Sequence, residues 1–186
     1  YPFSLRQKPH PKLLWVRSFH RQYNPLMAAD VLAELLQSHP HAELCMVGPD
    51  KDASMGLFRN YIRSKDIEDH VKITGKLSKE EWIALSKNYD FFINTANIDN
   101  TPVSVIEAMA LGLCVVSTNP GGIPYMLQDN VNAVLCKPGE PQVMVEKITK
   151  LLNNCLIYSE IAAEGRKAAL KYSWESVKGQ WIDLLK

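Results

Sequence analysis

Short apolar segments alternate with amphipathic segments along most of the chain, and this alternation restricts the possible fold more than any other feature. Six short apolar segments predict buried strands at positions 13–16, 44–47, 71–74, 90–94, 113–116 and 133–135. Apolar residues at helical spacing predict helices at 27–39, 54–65, 141–153 and 156–172, and capping patterns predict others near Ser78, Thr101 and Ser173. Strands that alternate with helices form parallel sheets covered on both faces. We therefore predict an α/β protein with a doubly wound, mostly parallel six-stranded sheet, and a ligand site at the carboxyl ends of its strands.

Charge and cysteine content exclude several functional classes. The 186 residues carry a formal net charge of +1, so bulk electrostatics give no reason to expect nucleic acid as a partner. No apolar run approaches the ~20 residues of a membrane-spanning helix. The 4 cysteines lie far apart, which predicts small core residues in a reducing compartment rather than disulfides or a metal site. The chain begins with Tyr1 rather than Met, and we expect it to be part of a longer protein.

Residues 99–124 concentrate the features that could bind a ligand. Thr101 is expected to cap a helix whose first residue is Pro102, and Gly112 is expected to end that helix. The helix carries one carboxylate, Glu107, among apolar side chains. A glycine-rich turn follows the next predicted strand and offers backbone N–H groups to an anion.

The carboxylate of Glu107 has two interpretations. A carboxylate on an apolar helix is costly unless it is exposed, paired or hydrogen-bonded, so a structural partner would explain it. Alternatively, Glu107 binds ligand hydroxyls at the mouth of a nucleotide pocket, because phosphates bind at helix N-termini and glycine-rich turns in open α/β sheets. The residues alone leave both interpretations open.

The same stretch resembles the signature of retaining glycosyltransferases with the GT-B fold, family 4 (glycosyl transferases group 1). Asp99 and Glu107 have seven residues between them, and Ala-Met-Ala, Val-Val and Gly-Gly-Ile-Pro follow in the family's order. The resemblance covers nearly the whole chain. The chain departs from the family at Asp99, where Glu is usual, at 101–103, where Phe-Gly-Leu is common, and at Tyr125, where an acidic residue is frequent.

The resemblance implies a role for each matching residue. Glu107 would bind the ribose hydroxyls of a nucleotide, and Asp99 would face the sugar ring or its leaving-group side; these two form the expected catalytic pair. Arg17 and the backbone N–H groups of Val103 and Ser104 would meet the diphosphate. The other expected donor-binding residues are Thr101, the loop residues Gly75 and Leu77 beside the nucleobase, and the phosphate-side glycines Gly121 and Gly122.

The phosphate site departs from the family in one respect. Relatives carry a Lys five residues after the Arg, whereas position 22 here is Gln. Arg21 is the candidate substitute. Guanidinium groups suit phosphate because they offer several donors in a fixed plane.

A metal site is not expected. Asp50-Lys51-Asp52 mimics the Asp-x-Asp of the other main glycosyltransferase fold, but polar turns of this kind commonly follow strands. His20 has no second His or Cys at ligand spacing and is read as a polar loop residue. The family that the chain resembles needs neither metal nor cofactor.

The activity implied by the resemblance is transfer of a sugar from a nucleotide-diphosphate sugar of UDP, GDP or ADP type to an acceptor hydroxyl, with retention of configuration. Residues 12–186 would form the donor-binding domain, and residues 1–11 a linker or tail from a missing N-terminal domain that binds a glycan, lipid or small-molecule acceptor. We expect this piece alone to be inactive. The full protein would be cytoplasmic, with peripheral association at the inner face of the membrane as an option.

Other functions are compatible with parts of the sequence. A nucleotide-sugar epimerase also binds its substrate between two such domains, although the Gly-Gly-Ile-Pro turn favours a transferase. A non-catalytic binding module would explain Gln22 and Asp99. A receiver domain needs an acidic cluster after the first strand, where Arg17 and Ser18 stand instead. The last helix, with Trp174 and Trp181, is expected to present an exposed apolar patch.

Overall fold

A twisted sheet of six parallel strands forms the centre of the protein, whose computed structural model describes residues 1–185. The strands are β1 Lys12–Val16, β2 Glu43–Val47, β3 Val71–Gly75, β4 Phe91–Asn94, β5 Cys114–Thr118 and β6 Val134–Cys136. Their order is β3-β2-β1-β4-β5-β6, and every pairing is parallel. The predicted doubly wound sheet is confirmed, and its order reverses between β1 and β4.

Eight α-helices connect and cover the strands in the described part of the chain. They are α1 Pro25–Leu36, α2 Ser54–Ser64, α3 Lys79–Ser86, α4 Val103–Leu111, α5 Ile123–Met126, α6 Pro141–Leu152, α7 Cys155–Leu170 and α8 Trp174–Leu184. The capping box predicted at Ser78 is present, because its hydroxyl accepts from the N–H of Glu81 and the Glu81 carboxylate accepts from the N–H of Ser78. Ser173 caps α8 as predicted.

The start of α4 corrects one prediction. Pro102 is the N-cap in an extended conformation (ψ 109°) rather than the first helical residue, and Thr101 lies outside the helix. The carbonyl of Pro102 accepts the N–H groups of Val105 (3.0 Å) and Ile106 (3.3 Å), so the helical hydrogen bonds begin one residue later than the pattern predicted. Gly112 ends the helix in the left-handed conformation, as expected.

Successive side chains of each strand enter two different hydrophobic cores, because side chains alternate across a sheet. Leu13 and Trp15 of β1 pack on one face with α1, α2 and α6, whereas Leu14 packs on the other face with α3 and α4. Helix α7 joins both cores, since Tyr158 lies in the first and Ala169 in the second. The sheet is therefore covered on both faces, and its strand ends are left as the place for a site.

Cysteine placement agrees with the sequence at three positions of four. Cys45, Cys114 and Cys136 are buried, whereas Cys155 is exposed at the start of α7. The prediction of a core residue is wrong for Cys155 because the first residue of a helix can point away from the packed face. Burial raises the pKa of the Cys136 thiol to about 11.

The segment before β1 has no helix or strand, but it lies against the domain. The guanidinium of Arg6 donates to the carbonyl oxygens of Ser86 (2.8 Å), Tyr89 (3.1 Å) and Leu111 (3.0 Å). Ser86 and Leu111 are the last residues of α3 and α4, where the helix dipole favours a positive charge, and Tyr89 lies between α3 and β4. The role of residues 1–11 as a linker stays a prediction.

Helix α8 presents its apolar side chains to solvent. Trp174 is 65% exposed and Trp181 53%, which confirms the expected apolar patch. Within residues 1–185, none of the helices has the length and apolarity that crossing a membrane requires.

Tyr158 provides a test of how β4 is tied to α7. Its buried hydroxyl donates to the carbonyl of Asp90 (2.8 Å), and its ring meets Phe91 edge-on. Replacing it with Phe removes this hydrogen bond and keeps the ring, so we expect Tyr158→Phe to lower the free energy of unfolding by about 1 kcal/mol in chemical denaturation. Tyr172→Phe, at an exposed tyrosine, is the matched control and should stay within about 0.5 kcal/mol. Equal stability of the two variants would contradict the structural role of the hydroxyl.

Candidate functional site

A pocket of about 520 Å³ opens at the carboxyl edge of the sheet, where the strand order reverses. Doubly wound sheets bind ligands at this place because the loops from the two halves diverge there. Loops after β1, β2, β3 and β4 all contribute, together with the first turns of α3 and α4. The lining residues are Val16, Arg17, Ser18, Tyr23, Val47, Gly48, Pro49, Lys76, Leu77, Lys79, Trp82, Asp99, Thr101, Pro102, Val103, Ser104 and Glu107.

An ion pair between Arg17 and Asp99 spans the reversal point. Arg17 follows β1 and Asp99 follows β4, and their side chains are only 15% and 11% exposed. The ring of Tyr23 lies against the other side of the guanidinium, with 4.7 Å between Cζ of Arg17 and the ring centroid. Nε of Arg17 is buried without a hydrogen-bond partner among residues 1–185. The guanidinium thus has one N–H donor that the described chain leaves unpaired beside the ion pair.

Backbone contacts fix the base of the Arg17 side chain. The N–H of Arg17 donates to the carbonyl of Val47 (3.0 Å), and the N–H of Gly48 donates to that of Gly75 (2.8 Å). Gly48 has φ +149°, and a Cβ there would lie 1.7 Å from the carbonyl oxygen of Arg17. Only glycine allows this approach, so the ends of β1, β2 and β3 are held together at the pocket floor.

Glu107 is held at the pocket wall by two partners. Its side chain is 15% exposed, Nζ of Lys79 lies 3.3 Å from Oε1, and the hydroxyl of Tyr1 donates to the same oxygen. Nζ of Lys79 also lies 4.8 Å from the centre of the Tyr1 ring. Hydrogen bonds with Tyr1 and then Glu107 raise the pKa of Lys79. Glu107 therefore has structural partners and also lines the pocket, and its role in binding ligand hydroxyls stays a prediction.

The first turn of α4 faces the pocket between these two groups. Val103 and Ser104 line it, and Pro102 supplies no side-chain cap among the described residues. The hydroxyl oxygen of Ser104 is buried and has no hydrogen-bond partner within the part of the chain that the structure describes. Uncapped N–H groups at a helix N-terminus favour an anion.

Comparison with known proteins identifies the family. The model of the family described as "Glycosyl transferases group 1" matches residues 2–168. The chain belongs to the group 1 glycosyltransferases. An uncharacterized glycosyltransferase of Haemophilus influenzae is 25% identical over 152 residues, which are 81% of this chain and 42% of that protein. The chain spans less than half the length of the first curated relatives that it matches, at 30%, 42% and 24%.

Solved structures share the fold of this glycosyltransferase domain. The crystal structure of Anabaena Alr3699/HepE in complex with UDP and glucose superimposes with a TM-score of 0.85 at 20% identity, over 94% of this chain and 47% of that one. The C-terminal domain of a glycosyl transferase group 1 family protein (LpcC) from Francisella tularensis superimposes with a TM-score of 0.79 at 16% identity, over 92% of this chain and 94% of that one. At these identities the likeness concerns the fold, which is that of GT-B glycosyltransferases.

The glycosyltransferase domain brings seven of the eleven predicted site residues to the pocket wall. These are Arg17, Leu77, Asp99, Thr101, Val103, Ser104 and Glu107. Gly75 does not line the pocket itself, but its carbonyl accepts the N–H of Gly48, which does. The remaining three predicted residues, Arg21, Gly121 and Gly122, lie outside the lining.

Gly121 and Gly122 support the loop that carries Asp99. The N–H of Gly122 donates to the carbonyl of Asp99 (3.0 Å). A Cβ at Gly121 would lie 2.3 Å from that carbonyl oxygen, and one at Gly122 would lie 2.5 Å from the carbonyl oxygen of Asn100. The glycines allow the two loops to touch, and in this structure they act on the pocket through the position of Asp99.

The turn after β1 uses its polar groups for structure. The backbone N–H of the exposed Arg21 donates to the carboxylate of Asp52 (3.0 Å). Nε2 of Gln22 donates to the carbonyl of Ile98 (3.1 Å), which ties this turn to the loop before Asp99. The family's lysine position is therefore occupied by a side chain that bonds the neighbouring loop.

The Asp-x-Asp sequence caps a helix in this structure. Oδ1 of Asp52 accepts the N–H of Ser54 (3.2 Å), and Oδ1 of Asp50 accepts the N–H of Met55 (3.4 Å), both at the start of α2. A hydrogen bond from the Ser54 hydroxyl, first among several, lowers the pKa of Asp52. Residues 1–185 contain no group of three or more His, Cys, Asp or Glu side chains placed to hold a metal ion.

Sequence reasoning missed several pocket residues. Lys79 is the second residue of the capping pattern at Ser78, and nothing in that pattern predicts its pairing with Glu107. Trp82 is a buried residue of α3 that also lines the pocket. Tyr23 immediately follows Gln22, the position where the family resemblance predicts a lysine. Its place in the turn after β1, close to Arg17 in the sequence, was the one sequence signal that its ring could lie near that side chain.

Gly48 tests the pocket floor. We expect Gly48→Ala to lower the free energy of unfolding by about 2–4 kcal/mol, because its methyl group would strike the carbonyl of Arg17 and its φ is strained for alanine. Gly56→Ala is the matched control, since a Cβ at that position of α2 meets nothing within 4 Å. Helix propensity predicts a gain of about 0.5–1 kcal/mol for this control. A Gly48→Ala protein as stable as wild type in urea denaturation would show that the strand ends are free to separate.

Proposed function

We propose that the chain is the donor-binding domain of a retaining glycosyltransferase that transfers a sugar from a nucleotide-diphosphate sugar to an acceptor hydroxyl. One observation carries the proposal: Arg17, Asp99, Glu107 and the uncapped start of α4 line a single pocket at the strand-order reversal. Family membership supports the transferase class. A fold neighbour crystallised with UDP and glucose supports a nucleotide-sugar donor.

We assign one part of the nucleotide-sugar donor to each element of the pocket. Glu107 would accept hydrogen bonds from the two ribose hydroxyls. Tyr1 and Lys79 contact Oε1, which leaves Oε2 for the ligand. The diphosphate would lie at the N–H groups of Val103 and Ser104, within reach of Arg17. Positioned donors of this kind stabilise the negative charge that develops on the leaving diphosphate.

Asp99 would face the donor sugar. Its side chain lines the pocket and is only 11% exposed, and Gly121 and Gly122 contact its backbone. In the donor complex it would accept a sugar hydroxyl or face the leaving-group side, while Arg17 turns toward phosphate. The reaction would need no metal ion, because the helix N-terminus and the guanidinium meet the phosphate charge.

The acceptor would come from a domain outside this sequence. The chain spans less than half of its first relatives, whereas it covers 94% of the Francisella C-terminal domain. We therefore infer that residues 12–186 form one domain of two and are inactive alone, with residues 1–11 leading in from the other. A glycan, lipid or small-molecule acceptor fits this division. Buried free thiols support a cytoplasmic site of action, with peripheral attachment to the inner face of the membrane as an option.

A second candidate is a non-catalytic nucleotide-sugar binding module. The observation in its favour is Gln22, whose amide donates to the carbonyl of Ile98 at the position where the family resemblance predicts a phosphate-binding lysine. Both candidates predict nucleotide binding, and they differ in turnover. Sugar release or transfer by the full-length protein would support the enzyme.

Nucleotide binding tests the donor site directly. We expect isothermal titration to show binding of one of UDP, GDP or ADP, unchanged by magnesium. Glu107→Gln should weaken that affinity by about 10–100-fold, because charged hydrogen bonds to the ribose are lost. Glu160→Gln, at an exposed residue of α7, is the control and should bind as wild type does. Undiminished binding by Glu107→Gln would remove the ribose role, and failure of all three nucleotides to bind would remove the donor-site proposal for this domain.

A further inference from the structure

Tyr23 contacts the group on which diphosphate binding would depend. Its ring faces the guanidinium of Arg17 at 4.7 Å, a distance at which cation–π attraction operates. The contact lies inside the pocket, whose lining includes both residues. Tyr23 immediately follows Gln22, so an aromatic ring stands next to the place where relatives have a second base.

The backbone of Tyr23 is held on both sides of the reversal point. Its N–H donates to the carbonyl of His20 (2.9 Å) within the 3₁₀ turn Arg21–Tyr23. The hydroxyl of Thr95, a fully buried residue after β4, shares its proton between the carbonyls of Tyr23 (2.9 Å) and Asn24 (2.9 Å). That hydroxyl accepts in turn from the indole N–H of Trp15 in β1 (3.1 Å). The ring is therefore presented to Arg17 by a rigid support.

Arg17 needs such a support if it is to bind phosphate. Asp99 occupies its Nη2 group, while its Nε is buried without a partner in the described chain. Guanidinium has five N–H donors, so the groups that Asp99 leaves can meet an anion. When Asp99 turns toward a donor sugar, as in the proposed function, the Tyr23 ring remains to fix the plane of the guanidinium.

Few other cations lie in the pocket. Lys76 and Lys79 are the remaining basic residues of the lining, and Lys79 is paired with Glu107. Lys76 is exposed, whereas the Arg17 side chain is only 15% exposed, so Arg17 is the buried cation of the lining. The strength with which the pocket holds a second phosphate should therefore depend on how well this side chain is oriented.

We propose that Tyr23 is a positioning residue that orients the Arg17 guanidinium toward the second phosphate of a nucleoside diphosphate and substitutes in this way for the absent lysine. The inference rests on the proposed donor function. Tyr23 acts through Arg17 and does not itself contact the phosphate. Its signature is a change in the preference for diphosphate over monophosphate, with no change in affinity for the rest of the nucleotide.

The test compares two ligands on matched variants by isothermal titration. The ligands are whichever of UDP, GDP and ADP binds wild type most tightly and its nucleoside monophosphate. The measured quantity is the dissociation constant of the monophosphate divided by that of the diphosphate, which is the preference for the diphosphate. Tyr23→Leu should lower this ratio by about threefold or more through loss of the cation–π contact, with the monophosphate affinity changed less than about twofold. Tyr23→Phe keeps the aromatic face and should keep the wild-type ratio. Tyr172→Leu is the control for loss of an exposed tyrosine.

Two further variants keep the test decisive. Tyr23→Met is measured beside Tyr23→Leu, and the folding of both is checked by circular dichroism. Each of the two variants that folds must show the reduced preference for the diphosphate. Arg17→Gln should remove most of the diphosphate preference.

Each other outcome overturns the inference. An unchanged ratio in Tyr23→Leu and Tyr23→Met would do so, as would equal weakening of both ligands, which indicates a structural role. A loss in Tyr23→Phe equal to that in Tyr23→Leu would assign the effect to the hydroxyl. An unchanged ratio in Arg17→Gln would overturn the inference while leaving the ribose role of Glu107 intact, whereas no nucleotide binding by wild type would overturn both proposals.

Discussion

The ion pair between Arg17 and Asp99 is the interaction on which the geometry of the pocket depends. It joins the ends of β1 and β4, the two strands at which the sheet changes direction. Removing two charges from water is costly, and attraction within the pair compensates only when the surroundings hold both groups in place. Backbone contacts at Gly48 provide this for Arg17, and those at Gly122 provide it for Asp99. Gly48 and Gly122 therefore both help to keep the two opposite charges together at the pocket.

Helix α4 turns this arrangement into a surface with two chemical ends. Its N-terminus offers uncapped N–H groups, and one turn later Glu107 offers a carboxylate. An elongated ligand with an anionic part and a hydroxylated part matches that order along the helix axis. Lys79 and Tyr1 hold one oxygen of Glu107, so the carboxylate is oriented before any ligand arrives. Preorganisation of this kind lowers the entropic cost of binding.

Local patterns predicted the fold better than they predicted the site. Six apolar runs determine six strands because a parallel sheet buries both faces of each strand, and Gly112 ends α4 because its left-handed conformation suits glycine. Contacts between distant segments left no comparable signal. The partners of Glu107 come from residues 1 and 79, and that pairing depends on how the N-terminal segment crosses the domain. The spacing that suggested Arg21 as a phosphate ligand could not show that the 3₁₀ turn directs it outward.

Arg6 has a consequence for where this unit can be cut. By secondary structure the domain starts with β1, and a boundary at residue 12 looks natural. A protein shortened to that point would lose the cation that binds the last carbonyl oxygens of α3 and α4, the helices that bear Lys79 and Glu107, together with the carbonyl oxygen of Tyr89. Those carbonyls would then turn to water, and the helix ends would fray. The irregular segment is therefore bound to the domain through Arg6 as well as leading into it.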